Sequence, residues 1–357
     1  MKSVSVVMPT CNKAGYLELT LASFEAQRGV DYELIIVDDG STDGTEALVA
    51  SYAARLPIKY RRQENRGRSH ARNAALALAE GEIIVFSDDD RIVVPDFLTQ
   101  HAGHFDGAQA APLVMGWQRG ILTSWREDLS VPPTVLWELI SRGTLGLHLR
   151  EPGPVQLVTP DDLRRRLDFT VERFWLAERW WEEGCLPAIR HFGEGLEGLE
   201  APWLLGTTGN MSALRSAVLD AGGFDESFRG WGLEDLDLCY RLHHAGVKSI
   251  VSRRAVNFHQ AHPTSSGKRA QWVTNLLYLM NKYDALDIAM YGYSFTRAES
   301  VDIKEFNELV VASNHEPVAA PLKQALRRTY LELVSARAGA VDRSRGDRLV
   351  GIVHEEW

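Results

Sequence analysis

Between Val4 and about Pro112, short apolar runs alternate with stretches of helix length, and this rhythm restricts the chain to folds in which helices cover a mostly parallel sheet. Strands are expected at Val4 to Met8, Glu33 to Val37, Ile58 to Arg61 and Ile83 to Phe86. The segments between them predict helices over Gly15 to Ala26, Thr42 to Ala54 and Arg68 to Ala79, the second opened by Ser41 or Thr42 as N-cap. Right-handed crossovers then bring the strand C-termini, and with them Thr10, Asp39 and Asp88, along one crevice, where ligands of open α/β sheets bind.

The 357 residues suffice for one large domain with an appendage or for two modest ones. The formal charge of -9 comes without a basic run that could track a phosphate backbone, so nucleic acid is not expected as a partner. Cys11, Cys185 and Cys239 are odd in number and widely spaced, which fits a reducing compartment and a cytoplasmic location. No run of about 18 apolar residues is present, so membrane contact would be peripheral. From about Leu113 to Ala201 the rhythm fades into Pro and Gly breaks and a Trp-rich helix candidate in which Trp175, Trp180 and Trp181 have core spacing. Gly193 to Glu200 reads as a surface connection more than a lid. Regularity returns from Gly206 to His262, and from about Gln271 the pattern is helical, ending in a charged segment around Arg337 to Arg348.

Chemistry concentrates at the predicted strand ends. Asp88, Asp89 and Asp90 follow the apolar run Glu82 to Phe86; adjacent acids repel, and their grouping is tolerable where a counter-charge arrives. Oxygen ligands of this kind favour Mg²⁺ or Mn²⁺ over zinc. Pro9, Thr10, Cys11 and Asn12 end the first strand, and Asp38 to Asp43, with Gly40 for close approach, end the second. Together they form a polar ledge suited to the base and ribose of a nucleoside. Asn65 to Asn73, including Gly67, Arg68 and Arg72, sets glycine and cations at a helix start, an environment for a diphosphate bridged by metal to Asp88 and Asp90.

In this order and spacing the segments resemble family 2 glycosyltransferases, built on the A-type nucleotide-sugar fold. The resemblance rests on Pro9 to Asn12, Val37 to Asp43, Asn65 to Arg68 with Ala71 to Asn73, and Phe86 to Asp90 followed by Pro95 to Leu98. It implies that Asp39 meets the uracil or ribose and that Asp88 and Asp90 engage ribose and metal; Arg91 departs from the usual pattern after the triplet. A second set, Gly209 to Ser212, Gly222 to Glu226 and Gly230 to Leu242, is similar to the acceptor half of galactosyltransferase and chondroitin-polymerase-like enzymes, where a Trp-Gly-x-Glu-Asp segment carries the base. Chemistry supports that assignment, since an inverting transfer needs a carboxylate to take the acceptor hydroxyl's proton and an aromatic face to stack on a pyranose. Asp235 is the expected base, Glu234 an acceptor-hydroxyl ligand or substitute base, and Trp231 with Asn210 part of the acceptor site. Asp237 is expected to cap its helix or pair with Arg241, and His243 and His244 to lie on the helix surface. The resemblance further implies a histidine completing the metal shell, His259 or His262.

The expected fold is therefore a Rossmann-like mixed sheet flanked by helices with a C-terminal helical extension, divided into a nucleotide-sugar-binding half (1–112), an acceptor and catalytic half of the same domain (113–263) and the extension (264–357). The expected ligands are a UDP-sugar donor bound with Asp89 among its contacts, Mn²⁺ or Mg²⁺, and a glycan, peptide or small molecule bearing a hydroxyl. A nucleotide-sugar pyrophosphorylase would instead need a glycine-rich activating loop near the first strand, which Pro9 to Asn12 is not. A binding module without chemistry has no need of Asp88, Asp90, Glu234 and Asp235 together.

Overall fold

The structure, a computed structural model, describes all residues except 1, 109, 127, 130–132, 143–153, 178–179, 264–266, 284, 298–300, 315–320, 323, 327 and 329–357. The charged segment at Arg337 to Arg348 and the side chain of Trp180 lie outside the described residues.

The first half follows the expected alternation: β1 (Val4–Thr10), α1 (Ala14–Phe24), β2 (Tyr32–Asp39), α2 (Thr45–Tyr52), β3 (Ile58–Gln63), α3 (Arg68–Leu76), β4 (Ile83–Phe86), β5 (Arg91–Val93) and α4 (Phe97–Gly103). Helix α2 starts later than expected because Asp43 Oδ1 accepts from the Thr45 amide at 3.1 Å and from its hydroxyl at 2.5 Å, so Ser41 and Thr42 stay in the loop. Next come β6 (Leu113–Ile121), β7 (Ser124–Trp125), α5 (Pro133–Ser141), β8 (Val155–Gln156), α6 (Pro160–Phe174), β9 (Trp175–Leu176) and α7 (Leu186–Phe192). The chain continues with β10 (Met211–Leu214), α8 (Arg215–Asp220), α9 (Glu234–His244) and β11 (Ser249–Gln260), followed by α10 (Lys268–Lys282), α11 (Leu286–Arg297) and α12 (Ile303–Asn314).

Nine strands form one mixed sheet in the order β3-β2-β1-β4-β10-β6-β11-β5, with β9 joined to β6. Strands β3, β2, β1 and β4 run parallel, β10 lies antiparallel between β4 and β6, and β11 runs parallel to β6 and antiparallel to β5. The two-residue alternation of strands divides the core: Val7, Ile35, Val37, Ile84 and Phe86 face one layer with Trp181 and Trp203, while Val6, Met8, Leu34, Ile36, Ile83 and Val85 face the other with α1 and α4. Trp181 is thus a core residue as its spacing suggests, whereas Trp175 belongs to a short strand and not to the expected helix. Residues 193–200 form a packed connection: Leu196 and Leu199 are buried, the Glu194 carbonyl accepts from Val251, and Asn307 on α12 bonds the backbone at Gly198 and Glu200.

Candidate active site

The β1–β2 register pairs Thr10 with Asp38 and delivers the two polar strand ends side by side. Asn12, in left-handed backbone (φ 54°), joins them: its amide donates to Ser41 Oγ at 2.9 Å and its Oδ1 accepts from the Thr42 amide at 2.7 Å. Asp38 faces inward, accepting from the Ser41 amide at 2.7 Å and from the Tyr60 hydroxyl at 2.8 Å. Asp39 accepts from the Arg66 and Gly67 amides at 2.9 and 2.8 Å and from Gln63 at 2.8 Å. Both carboxylates thus fold the ledge through these bonds, Asp39 with two of its contacts on Oδ1 and one on Oδ2. What the ledge presents outward is a groove of about 470 Å³ lined by Gly40, Arg62, Gln63, Glu64 and Asn65. Gly40 is required there, with φ 81° and a Cβ position 2.9 Å from the Asn65 amide nitrogen.

The acid triplet divides its work among three directions. Asp89 is buried and accepts from Thr10 Oγ1 at 2.8 Å, so it braces the ledge. Burial lifts its pKa to about 6 against the opposing pull of Lys13. Asp88 points to α3, where Arg72 Nη2 donates to its Oδ1 at 2.9 Å; burial favours its neutral form, but Arg72 and then Arg91 hold it below the usual carboxylate range. Asp90 points the other way, and its Oδ2 lies 3.2 Å from His262 Nε2 and 3.7 Å from His259 Nε2.

Sheet register accounts for that meeting. Strand β11 pairs His259 with Arg91, and the Gln260 amide donates to the Asp90 carbonyl at 3.0 Å, so the end of β11 delivers both imidazoles to Asp90. His262 Nδ1 donates to the Pro263 carbonyl at 2.9 Å, and this bond orients the ring so that Nε2 faces Asp90. One ligand atom from each of Asp90, His259 and His262 lies within 4.8 Å of the others. Asp88 is not in that group: its Oδ1 is bonded to Arg72 of α3. One carboxylate and two imidazoles, with a buried Asp90 Oδ1 that has no hydrogen-bond partner among the described residues, form a donor set that fits a divalent cation.

Lys13 is the residue that sequence reasoning missed. Its ammonium donates to Asp90 Oδ2 and lies 3.6 Å from Asp89 and 3.4 Å from His262 Nε2. Burial disfavours its charge, yet Asp90 and Asp89 raise its pKa, and in turn Lys13 and His259 hold Asp90 well below its ordinary value despite burial. The available signal was a lysine directly after Pro-Thr-Cys-Asn. Arg91 stands behind Asp90 with Nε 3.6 Å from Oδ1, packed over Gly209, where a Cβ would lie 2.6 Å from the guanidinium.

Opposite this cluster stands the start of α9. Gly230, Gly232 and Leu233 all have positive φ (69°, 96° and 72°), and this turn sets Trp231 36% exposed at the rim and Glu234 and Asp235 in the first helical turn. Gly232 tolerates no side chain, since a Cβ would lie 2.8 Å from the Trp272 ring. The turn is clamped from α10 by Asn275, which accepts from the Arg229 amide at 3.2 Å and donates to the carbonyls of Arg229, Trp231 and Gly232 at 2.8 to 3.3 Å. Glu234 is buried and accepts from Arg72 Nη1 at 2.8 Å, with Arg68 at 3.8 Å, so it is not turned toward an acceptor as expected. Arg72 accordingly lies between two acids, not against a donor phosphate. Asp235 is half-buried, its Oδ1 accepting from the Leu236 amide at 2.9 Å; burial and then the Glu234 charge lift its pKa to about 6, with Arg72 opposing. Asp237 pairs with Arg241 as expected, at 2.8 Å. Asn210 is corrected outright: it is fully buried, accepts from His101 at 2.9 Å and donates to the carbonyls of Trp117 and Ala255. Burial holds His101 neutral with a pKa near 4, consistent with these bonds.

Residues 5–153 match the family described as glycosyl transferase family 2, and residues 199–263 match the one described as the N-terminal domain of galactosyltransferase. The chain belongs to glycosyltransferase family 2. It is 29% identical over 283 residues to the uncharacterized glycosyltransferase YfnE of Bacillus subtilis (strain 168), covering 78% of this chain and 70% of that protein. It is 32% identical over 263 residues to a validoxylamine A glucosyltransferase of Streptomyces hygroscopicus subsp. jinggangensis (strain 5008), covering 72% of this chain but 56% of that protein. Among solved structures, S. aureus TarS shares the fold with a TM-score of 0.52 at 17% identity, covering 99% of this chain and 50% of that one. The fold is the A-type glycosyltransferase fold, and no helix among the described residues is long and apolar enough to cross a membrane.

Proposed function

We propose that this glycosyltransferase is metal-dependent and inverting, moving a hexose from a nucleoside diphosphate donor, UDP-linked, to an acceptor hydroxyl. The observation that carries the reading is the continuous path Asp88–Arg72–Glu234, which supports taking the metal-type cluster beside Asp88 and the carboxylate beside Glu234 as parts of one site. Asp235, with its proton affinity raised toward neutrality, removes the proton of the incoming hydroxyl. The freed oxygen attacks the anomeric carbon from the face opposite the diphosphate, the bond to the phosphate oxygen breaks, and the configuration inverts. Trp231 offers its ring to a pyranose at the rim, with the Lys268 ammonium 5.6 Å from the ring centre. Asp90, His259 and His262 would hold Mn²⁺ or Mg²⁺, which when bound neutralises the departing diphosphate. Lys13 and Arg68 add positive charge on the same side, and Lys268 feels both of them: burial and these two neighbours lower its pKa.

A hexose donor agrees with the glucosyltransferase named above, and a hydroxylated acceptor follows from the base chemistry. The three free cysteines fit a reducing compartment, and we place the enzyme in the cytoplasm. The test is UDP release from UDP-hexoses with Mn²⁺ and with excess EDTA, alongside GDP-linked donors. The reading expects chelation to abolish release and UDP donors to be preferred; release indifferent to EDTA defeats the metal assignment, and preference for GDP donors defeats the UDP assignment.

A further inference from the structure

Helix α3 carries three side chains that all reach across to the acceptor half. His70 Nε2 lies 2.8 Å from Glu226, Asn73 exchanges two hydrogen bonds of 2.8 Å with the Phe224 backbone, and Arg72 bridges Asp88 and Glu234. The first two fix the backbone around residues 224–226. Arg72 is the one that grips the start of α9, helped by Arg68 at 3.8 Å. Its guanidinium is 2% exposed, seated 5.4 Å from the Phe224 ring centre, and its rigid fork sends one nitrogen to each acid.

We propose that Arg72 is a positioning residue of the transfer reaction: it ties the base-bearing turn of α9 to the carboxylate beneath the leaving group and so sets the distance between proton acceptor and diphosphate. This rests on Asp235 being the base. Arg72 hydrogen-bonds Glu234 whereas Asp235 accepts from the Leu236 amide, so two adjacent acids acquire separate duties. A lysine carries the charge but not the planar fork, so it can satisfy one acid well and not both.

Arg72→Lys and Arg72→Gln test this through steady-state kinetics with saturating Mn²⁺ and through calorimetry of UDP binding. The expected result is a kcat loss of about 100-fold for Arg72→Gln and about 10-fold for Arg72→Lys, the scale of a misplaced reacting group, with donor KM and UDP affinity held within about threefold. The acid limb of the kcat profile should also move to higher pH, because Arg72 favours the ionised form of Asp235. The groups facing that carboxylate are Glu234 and Cys239 on its own helix, Arg72 on α3 and Asp88 at the end of β4. A raised donor KM with unchanged kcat would make Arg72 a phosphate contact and overturn the proposal, as would full activity in both variants. If Arg72→Gln fails to fold, Arg72→Lys and Glu234→Gln, which keeps an acceptor for Arg72, carry the same comparison with an expected kcat loss of about 10-fold each. Transfer that survives in Asp235→Asn while Arg72→Lys is impaired would instead indict the base assignment.

Discussion

Two groups of adjacent carboxylates are bridged by Arg72 in this molecule, and they differ in how their charge is answered. At the end of β4, Asp88 has Arg72, Asp89 has a hydroxyl and a nearby ammonium, and Asp90 has Lys13 and two imidazoles. At the start of α9 the cations converge on Glu234, and Asp235 is left with a backbone amide and a raised pKa. Where a guanidinium or ammonium bonds the carboxylate directly, as at Asp88 and Asp90, the acid is held ionised and suits the gripping of cations. Asp89 and Asp235 lack such a bond and hold protons more tightly, and of these two Asp235 is the less buried. Adjacent acids in a sequence look equivalent, and the folded surroundings separate them.

The largest effect expected from breaking this contrast is in Asp235→Asn, which should lower kcat by about 10³-fold or more while leaving UDP affinity within about twofold, measured by single-turnover transfer and calorimetry. In the parent enzyme kcat should fall as pH drops through about 6, where Asp235 takes up its proton. Next in size is Asp237→Asn. Two residues along the same helix, Asp237 is fully buried, with Arg241 at 2.8 Å, Lys282 at 2.6 Å and the Tyr283 hydroxyl at 2.8 Å. Halving that network should cost about 3 kcal/mol in a denaturant melt, with UDP binding to the folded fraction unchanged. An activity loss without a stability loss would blur the distinction between the two acids. The smallest expected change is in Trp231→Ala, a rise of about fivefold in acceptor KM at unchanged donor KM, in keeping with about 1 kcal/mol of ring stacking.

Strands β1, β2 and β4 of the first half were legible because each is an apolar run long enough to be buried on both faces and ends in the polar residues of the crevice, whereas β3 is a half-exposed edge strand. Strands β5 and β6 were not: Arg91–Val93 is three residues long, and Leu113–Ile121 contains two glycines and an arginine. Their pairing partner β11 arrives more than a hundred residues after β6, so no local pattern announces it. The site shows the same division. His259 and His262 sit by Asp90, where the family resemblance put a metal-completing histidine. The directions of Arg72, Glu234 and Asn210 were misjudged because each is decided by a partner far along the chain; Arg72 and Glu234 are 162 positions apart. Glycine and cations at the start of α3 have the composition of an anion cradle, and acids contributed by another part of the fold claim Arg72 first.

The reach of α3 across to residues 224–234 also bears on how members of this family could exchange acceptor preferences. Moving only the segment 199–263 between homologues would confront His70, Arg72 and Asn73 with foreign partners, so the transplantable unit is that segment together with α3, a discontinuous cassette whose two pieces must travel as one.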